Sequence, residues 1–143
     1  MATRQADVFI SHTSEDNDYF VEPLARQLRI NSIDPWFDGY EIQAGDDIVD
    51  KIEEGLANCL SGLLVITPNF LAKKGWTETE MRALVDKFVQ NPNRLFAILA
   101  SVSIDEFKSK YPLLASKIAI VTDNPIKAAA EFADSYWTRV VPE

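Results

Sequence analysis

Asp7-Val8-Phe9-Ile10-Ser11-His12-Thr13-Ser14-Glu15-Asp16 passes from an apolar run straight into a polar turn. The first five residues read as a buried strand. Ser14 suits the N-cap of a following helix, with Glu15 and Asp16 complementing its dipole. Phe20, Leu24 and Leu28 then recur every fourth residue beside Val21, marking one apolar helical face. Strand, turn and helix together make the opening half of a βαβ unit.

The same alternation continues along the chain. A short strand is expected over Ile33 to Phe37, made irregular by Pro35. A loop carrying Gly39 and Gly45 follows, spanning Asp38 to Asp46. Ile48, Ile52, Leu56 and Cys59 trace the inner face of the next helix, capped by Asp46 or Asp47. Gly62 to Thr67 is the most hydrophobic strand, and Pro68 stops it. A helix after Trp76 buries Met81, Leu84, Val85 and Phe88, and two further strands are expected over Leu95 to Leu99 and Ile118 to Val121. The last helix runs over Pro125 to Thr138.

Five apolar strands separated by helical patterns predict a parallel sheet covered on both faces. Right-handed crossovers favour the flavodoxin-like order 2-1-3-4-5. Ligands of such sheets bind beyond the carboxyl ends of the strands, at the switch between the first and third. Segments after Ser11, Phe37 and Thr67 therefore converge on one crevice. No repeat, low-complexity tract or linker interrupts the pattern, so residues 1–143 are expected to form a single domain.

Composition excludes several classes. The formal charge is -8, and the basic residues are scattered, which argues against direct nucleic-acid binding. No signal peptide or membrane-length apolar stretch is present, so a reducing, cytoplasmic setting without membrane attachment is expected. The single cysteine, Cys59, has no internal partner and reads as a small core residue. No Cys/His cluster suggests a metal, no GxSxG elbow suggests a hydrolase serine, and neither common phosphate-binding glycine loop occurs. The third strand ends in Ile66-Thr67-Pro68, without the carboxylate of a phosphate-accepting receiver domain.

What remains at the crevice is a polar set: Ser11, His12, Thr13, Asp38, Asn69, Glu78 and Glu80. Trp76 and Glu80 stand four apart, a spacing that shares one helical face, and an aromatic beside a carboxylate suits a cationic ring or a developing sugar cation. The structural alternative is a capping box. Thr77 would be the N-cap, Glu80 would reach back to it, and Trp76 and Met81 would form a hydrophobic staple. Spacing alone favours the cap.

Four ordered signatures carry a family resemblance. Asp7 to Asp16 resembles the bacterial DxFISHxSED opening of TIR (Toll/interleukin-1 receptor) domains. Trp36-Phe37-Asp38 with Ile42 and Gly45-Asp46 resembles the second strand and the family's BB loop. Gly62 to Pro68 with Asn69-Phe70 resembles the third strand and its exit, and Trp76 to Glu80 matches the WxxxE pattern of NAD-cleaving members. The match runs in register from about Asp7 to Val85.

The resemblance implies an NAD nucleosidase with Glu80 as its catalytic carboxylate, releasing nicotinamide and leaving ADP-ribose or a cyclic isomer. It reverses the balance at Glu80 in favour of catalysis. NAD is substrate; no cofactor and no metal is implied. Substrate contacts are implied for Ile10, Ser11, His12, Thr13, Phe37, Asp38, Ile42, Gly45 and Trp76. For Trp76 a structural role in the staple stands equally open. Asp38 could hold the loop's turn rather than touch substrate, and Gly45 is expected to serve the loop's conformation through a positive φ. His12 is expected to hold the strand end rather than act as a base. Family members commonly complete the pocket across two TIR domains through the BB loop, so self-association is implied, with a separate sensor protein or fused domain as trigger. Arginines that some animal members carry after the first strand are replaced here by Thr13 and Ser14, which leaves pyrophosphate contacts to backbone amides, Lys73, Lys74 or a neighbouring copy. The competing implication is a non-enzymatic adaptor that self-associates or interferes with host signalling. Bacterial NAD-cleaving members commonly serve antiphage defence.

Overall fold

The computed structural model describes residues 6–37, 41–42, 47–74, 76–118 and 120–141, with the side chains of Lys73 and Lys74 outside the description. Five parallel strands form one sheet in the order β2-β1-β3-β4-β5, as the alternation predicts. They are β1 (Ala6–Ser11), β2 (Pro35–Trp36), β3 (Cys59–Ile66), β4 (Leu95–Leu99) and β5 (Ile120–Val121). The helices are α1 (Glu22–Ile30), α2 (Ile48–Asn58), α3 (Pro68–Lys74), α4 (Glu78–Gln90), α5 (Ile104–Lys110), α6 (Pro112–Ala115) and α7 (Pro125–Ser135).

Two cores lie on the two faces of the sheet. Val8, Ile10, Leu63, Val65, Phe96 and Ile98 face α1 and α7, while Phe9, Leu64, Ile66, Ala97 and Leu99 face α2 and α4. Alternate residues of each central strand thus feed opposite layers, which is why these strands read as continuous apolar runs. The Phe9 ring fills the gap between sheet and α2 so closely that a Cβ on Gly62 would fall 2.2 Å from it, and one on Gly55 2.5 Å. Both glycines are required by that approach.

Several local expectations need correction. Ser14 does not cap a helix: Ser14–Asp16 winds as a tight 3-10 turn, Asn17–Val21 as a wider π turn, and the Ser14 hydroxyl donates to Glu15 Oε1 at 3.2 Å. The physical reason is that Asp16 turns inward, into contacts described below. Cys59 opens β3 rather than closing α2, because Asn58 ends the helix and Cys59 takes an extended backbone. β2 pairs over only two residues, consistent with proline's missing donor. α3, α5 and α6 were not foreseen; they are short and lack a long periodic pattern. The final helix ends at Ser135 and continues to Val140 as a π turn.

The α2–β3 junction is held by Arg94. Its guanidinium donates to the carbonyls of Leu56 at 2.7 Å, Cys59 at 2.9 Å and Leu60 at 2.9 Å. Arg94→Ala strands three partly buried acceptors and is expected to lower stability by about 2–3 kcal/mol. The measurement is a urea titration, with the midpoint falling and the slope unchanged. An unmoved midpoint would mean that water replaces the guanidinium without loss.

Candidate active site

Two helix N-termini build the candidate site. Asp47 caps α2, its Oδ1 accepting from the amides of Val49 at 3.0 Å and Asp50 at 3.3 Å. Thr77 caps α4, its Oγ1 accepting from the Glu80 amide at 3.1 Å. Glu80 closes the box, with Oε1 accepting from the Thr77 amide at 3.3 Å and from the Thr77 hydroxyl at 3.0 Å. The capping box expected from Thr77-Glu78-Thr79-Glu80 is therefore present, yet Glu80 also lines a cleft of about 300 Å³ with Asp47, Ile48, Val49, Thr79 and Ala83.

Trp76 lies outside α4, one residue before its cap, so the shared helical face expected for Trp76 and Glu80 does not form. The indole packs on Phe70, centroids 5.6 Å apart and tilted by 31°. It lines a different cleft, of about 330 Å³, together with Met81, Lys110 and Tyr111. Trp76 and Met81 line this one cleft and belong to the same apolar cluster, in keeping with the staple reading.

The exit of β1 is fully buried. Ser11, His12 and Thr13 are all 0% exposed, and the Ser11 hydroxyl makes no hydrogen bond among the described residues. His12 Nδ1 donates to the Ile10 carbonyl at 3.0 Å, and the His12 carbonyl accepts from the Ile42 amide at 2.6 Å. The second of these extends β1 by one bridge, to Glu41. The imidazole stands 6.3 Å from the Phe37 ring. Ile10 is buried in the core beneath α1 and α7, whereas Ile42 belongs to the core beneath α2 and α4. Asp38 and Gly45 lie outside the described residues, as do the side chains of Lys73 and Lys74. Glu78 is exposed on the first turn of α4, 4.0 Å from Arg82.

One residue of this region was missed. Asp16 is completely buried and gathers four donors: Thr13 Oγ1 at 2.7 Å and Asn69 Nδ2 at 2.9 Å, together with the hydroxyls of Thr67 and Tyr19. Burial alone would raise its pKa. The hydrogen bonds from Thr67, Tyr19, Asn69 and Thr13 outweigh it and hold the carboxyl below its ordinary 3.8. Across the contact, burial and then the bond and charge of Asp16, with the charge of Asp123, push Tyr19 up to about 12. The carboxylate ties the β1 exit to the first residues after β3. A signal existed in the sequence, since Thr67 and Asn69 are polar residues at a strand exit that needs a partner.

Among the described residues, no group of three or more His, Cys, Asp and Glu side chains gathers as a metal site, and no helix is long and apolar enough to cross a membrane. A doubly wound sheet with carboxylate-bearing helix starts at the carboxyl ends of its strands defines a ligand-crevice class of α/β domain. Within that class the chain belongs to the TIR domain family, whose model matches residues 8–133. It is 39% identical over 120 residues to the 2' cyclic ADP-D-ribose synthase BtTIR of Bacteroides thetaiotaomicron, covering 84% of this chain and 42% of that protein. It is 35% identical over 116 residues to the NAD(+) hydrolase PdTIR of Paracoccus denitrificans, covering 81% and 38%. The chain thus spans less than half the length of these two relatives. Among solved structures, a metazoan TIR-STING receptor from C. gigas superposes with a TM-score of 0.63 at 16% identity, over 99% of this chain and 42% of that one, a likeness of fold.

Proposed function

We propose that this domain cleaves NAD+ at the bond between nicotinamide and ribose, with Glu80 as the carboxylate that stabilises the developing ribosyl cation. The observation that carries the reading is the position of Glu80: a carboxylate fixed by a capping box on one side and lining a cleft on the other, in a chain whose relatives are named for NAD hydrolysis and cyclic ADP-ribose synthesis.

The chemistry suits that group. Nicotinamide leaves as a neutral molecule from a pyridinium, so departure needs no general acid. Positive charge accumulates on the ribose, where a carboxylate already oriented by Thr77 contributes without reorganising. Water as acceptor yields ADP-ribose; a hydroxyl or the adenine of the same molecule yields a cyclic isomer. The segment over residues 38–46, which resembles the family's BB loop in sequence, would complete the pocket of a neighbouring copy, so that activity rises with assembly.

The test is nicotinamide release from NAD+ by the chain, dilute and then concentrated or tethered in arrays, with chromatography of the products. Release is expected to rise more steeply than in proportion to protein concentration. The capping box is the observation that favours the second reading, an interaction module in which Glu80 serves only the helix. Absence of release even in the tethered array would support that module over the enzyme.

A further inference from the structure

We infer that Asp47 is a second catalytic residue of the Glu80 cleft, the group that takes the proton from the attacking acceptor; this rests on the NAD-cleaving reading above. Asp47 and Glu80 line the same cleft, and its other lining residues (Ile48, Val49, Thr79 and Ala83) carry no base. The two Asp47 oxygens differ in what they do. Oδ1 is occupied by the amides of Val49 and Asp50. Oδ2 takes no hydrogen bond and no ion pair among the described residues. One oxygen therefore holds the side chain in place while the other remains able to receive a proton.

Departure of nicotinamide involves no proton, but capture of the cation by an oxygen does. The electron pair of the glycosidic C–N bond goes to the nicotinamide nitrogen and neutralises the pyridinium. A lone pair of the acceptor oxygen forms the new bond to the anomeric carbon, and the proton on that oxygen passes to Asp47 Oδ2 and then to solvent. The positive charge of the substrate leaves as that proton, so charge balances. The one imidazole of the chain is not placed for this task, because His12 is fully buried and its Nδ1 is given to the Ile10 carbonyl. Glu80 and Asp47 thus divide the reaction, one facing the cation and the other the acceptor.

The division can be measured because Asn and Ser replace Asp at an N-cap with little loss. Asp47→Asn and Asp47→Ser should keep the wild-type melting temperature. Formation of ADP-ribose, or of a cyclic isomer closed through a ribose hydroxyl, should fall by about 10²-fold, the usual size of a general-base contribution. Exchange of the nicotinamide for added acetylpyridine should stay within about threefold of wild type, since a pyridine nitrogen attacks without a proton to lose. Product formation unchanged in both variants would overturn the assignment, and so would equal loss of product formation and exchange. A wild-type chain that catalyses neither reaction would overturn the NAD-cleaving reading itself, and this assignment with it.

Discussion

Glu80→Gln should cut nicotinamide release by about 10²-fold or more while leaving the melting temperature within about 2 °C of wild type. The two halves of that expectation come from different properties of one side chain. The amide oxygen of Gln accepts a hydrogen bond as the carboxylate does, so the bond from the Thr77 amide to position 80 survives and the capping box stays closed. What disappears is a full negative charge facing the cleft.

Magnitude decides whether that charge matters. A unit charge about 4 Å from a ribosyl cation is worth roughly 1 kcal/mol in bulk water and about 4 kcal/mol in a surface-protein environment. The first figure corresponds to a loss of about fivefold, the second to about a thousandfold. Glu80 is half-buried at the rim of a cleft, which puts the expected loss nearer the second. Glu80→Ala removes the returning half of the capping box together with the charge and should add a destabilisation of about 1 kcal/mol to the same loss of activity. If Glu80→Gln folds normally and turns over NAD+ at the wild-type rate, Glu80 is a capping residue and no more.

The comparison of Glu80 with Trp76 shows what sequence spacing carries and what it leaves out. Thr77-Glu78-Thr79-Glu80 specifies a helix start because each member satisfies an otherwise orphaned amide, a local rule that needs no tertiary context. The same rule places Trp76 outside the helix. A four-residue spacing that straddles a cap does not obey helical geometry, and the indole turns to Phe70 and a separate cleft. Sheet order was likewise legible, since five apolar runs with helical crossovers leave few topologies. Short helices were not: α6 contains four residues, too few to express a period, whereas the short β2 was placed and only its two-residue extent was not. Ser14 failed as a cap for a non-local reason. Asp16 is drawn inward by Thr67 and Asn69, more than fifty residues away in sequence, and the backbone winds into 3-10 and π turns to allow it.

That same aspartate underlies the largest stability effect expected. Asp16→Ala should destabilise the domain by about 3–5 kcal/mol, because it leaves the buried hydroxyls of Thr13 and Thr67 without their acceptor in a site closed to solvent. Tyr19 and Asn69 are exposed and can turn to water, so their donors add little to the loss. Asp16→Asn keeps the volume but sets an amide donor among four converging donors, and should still cost about 2–3 kcal/mol. Acid should reproduce part of the effect. With the folded pKa lowered below 3.8, the charged form contributes stability above the unfolded value, and that contribution drains away as pH falls from about 4 toward the folded pKa. Asp16→Asn should therefore flatten the acid limb of the stability curve measured by urea titration between about pH 5 and pH 2.5. An Asp16→Asn midpoint equal to wild type would show that packing alone, without the carboxylate, ties the β1 exit to the start of α3.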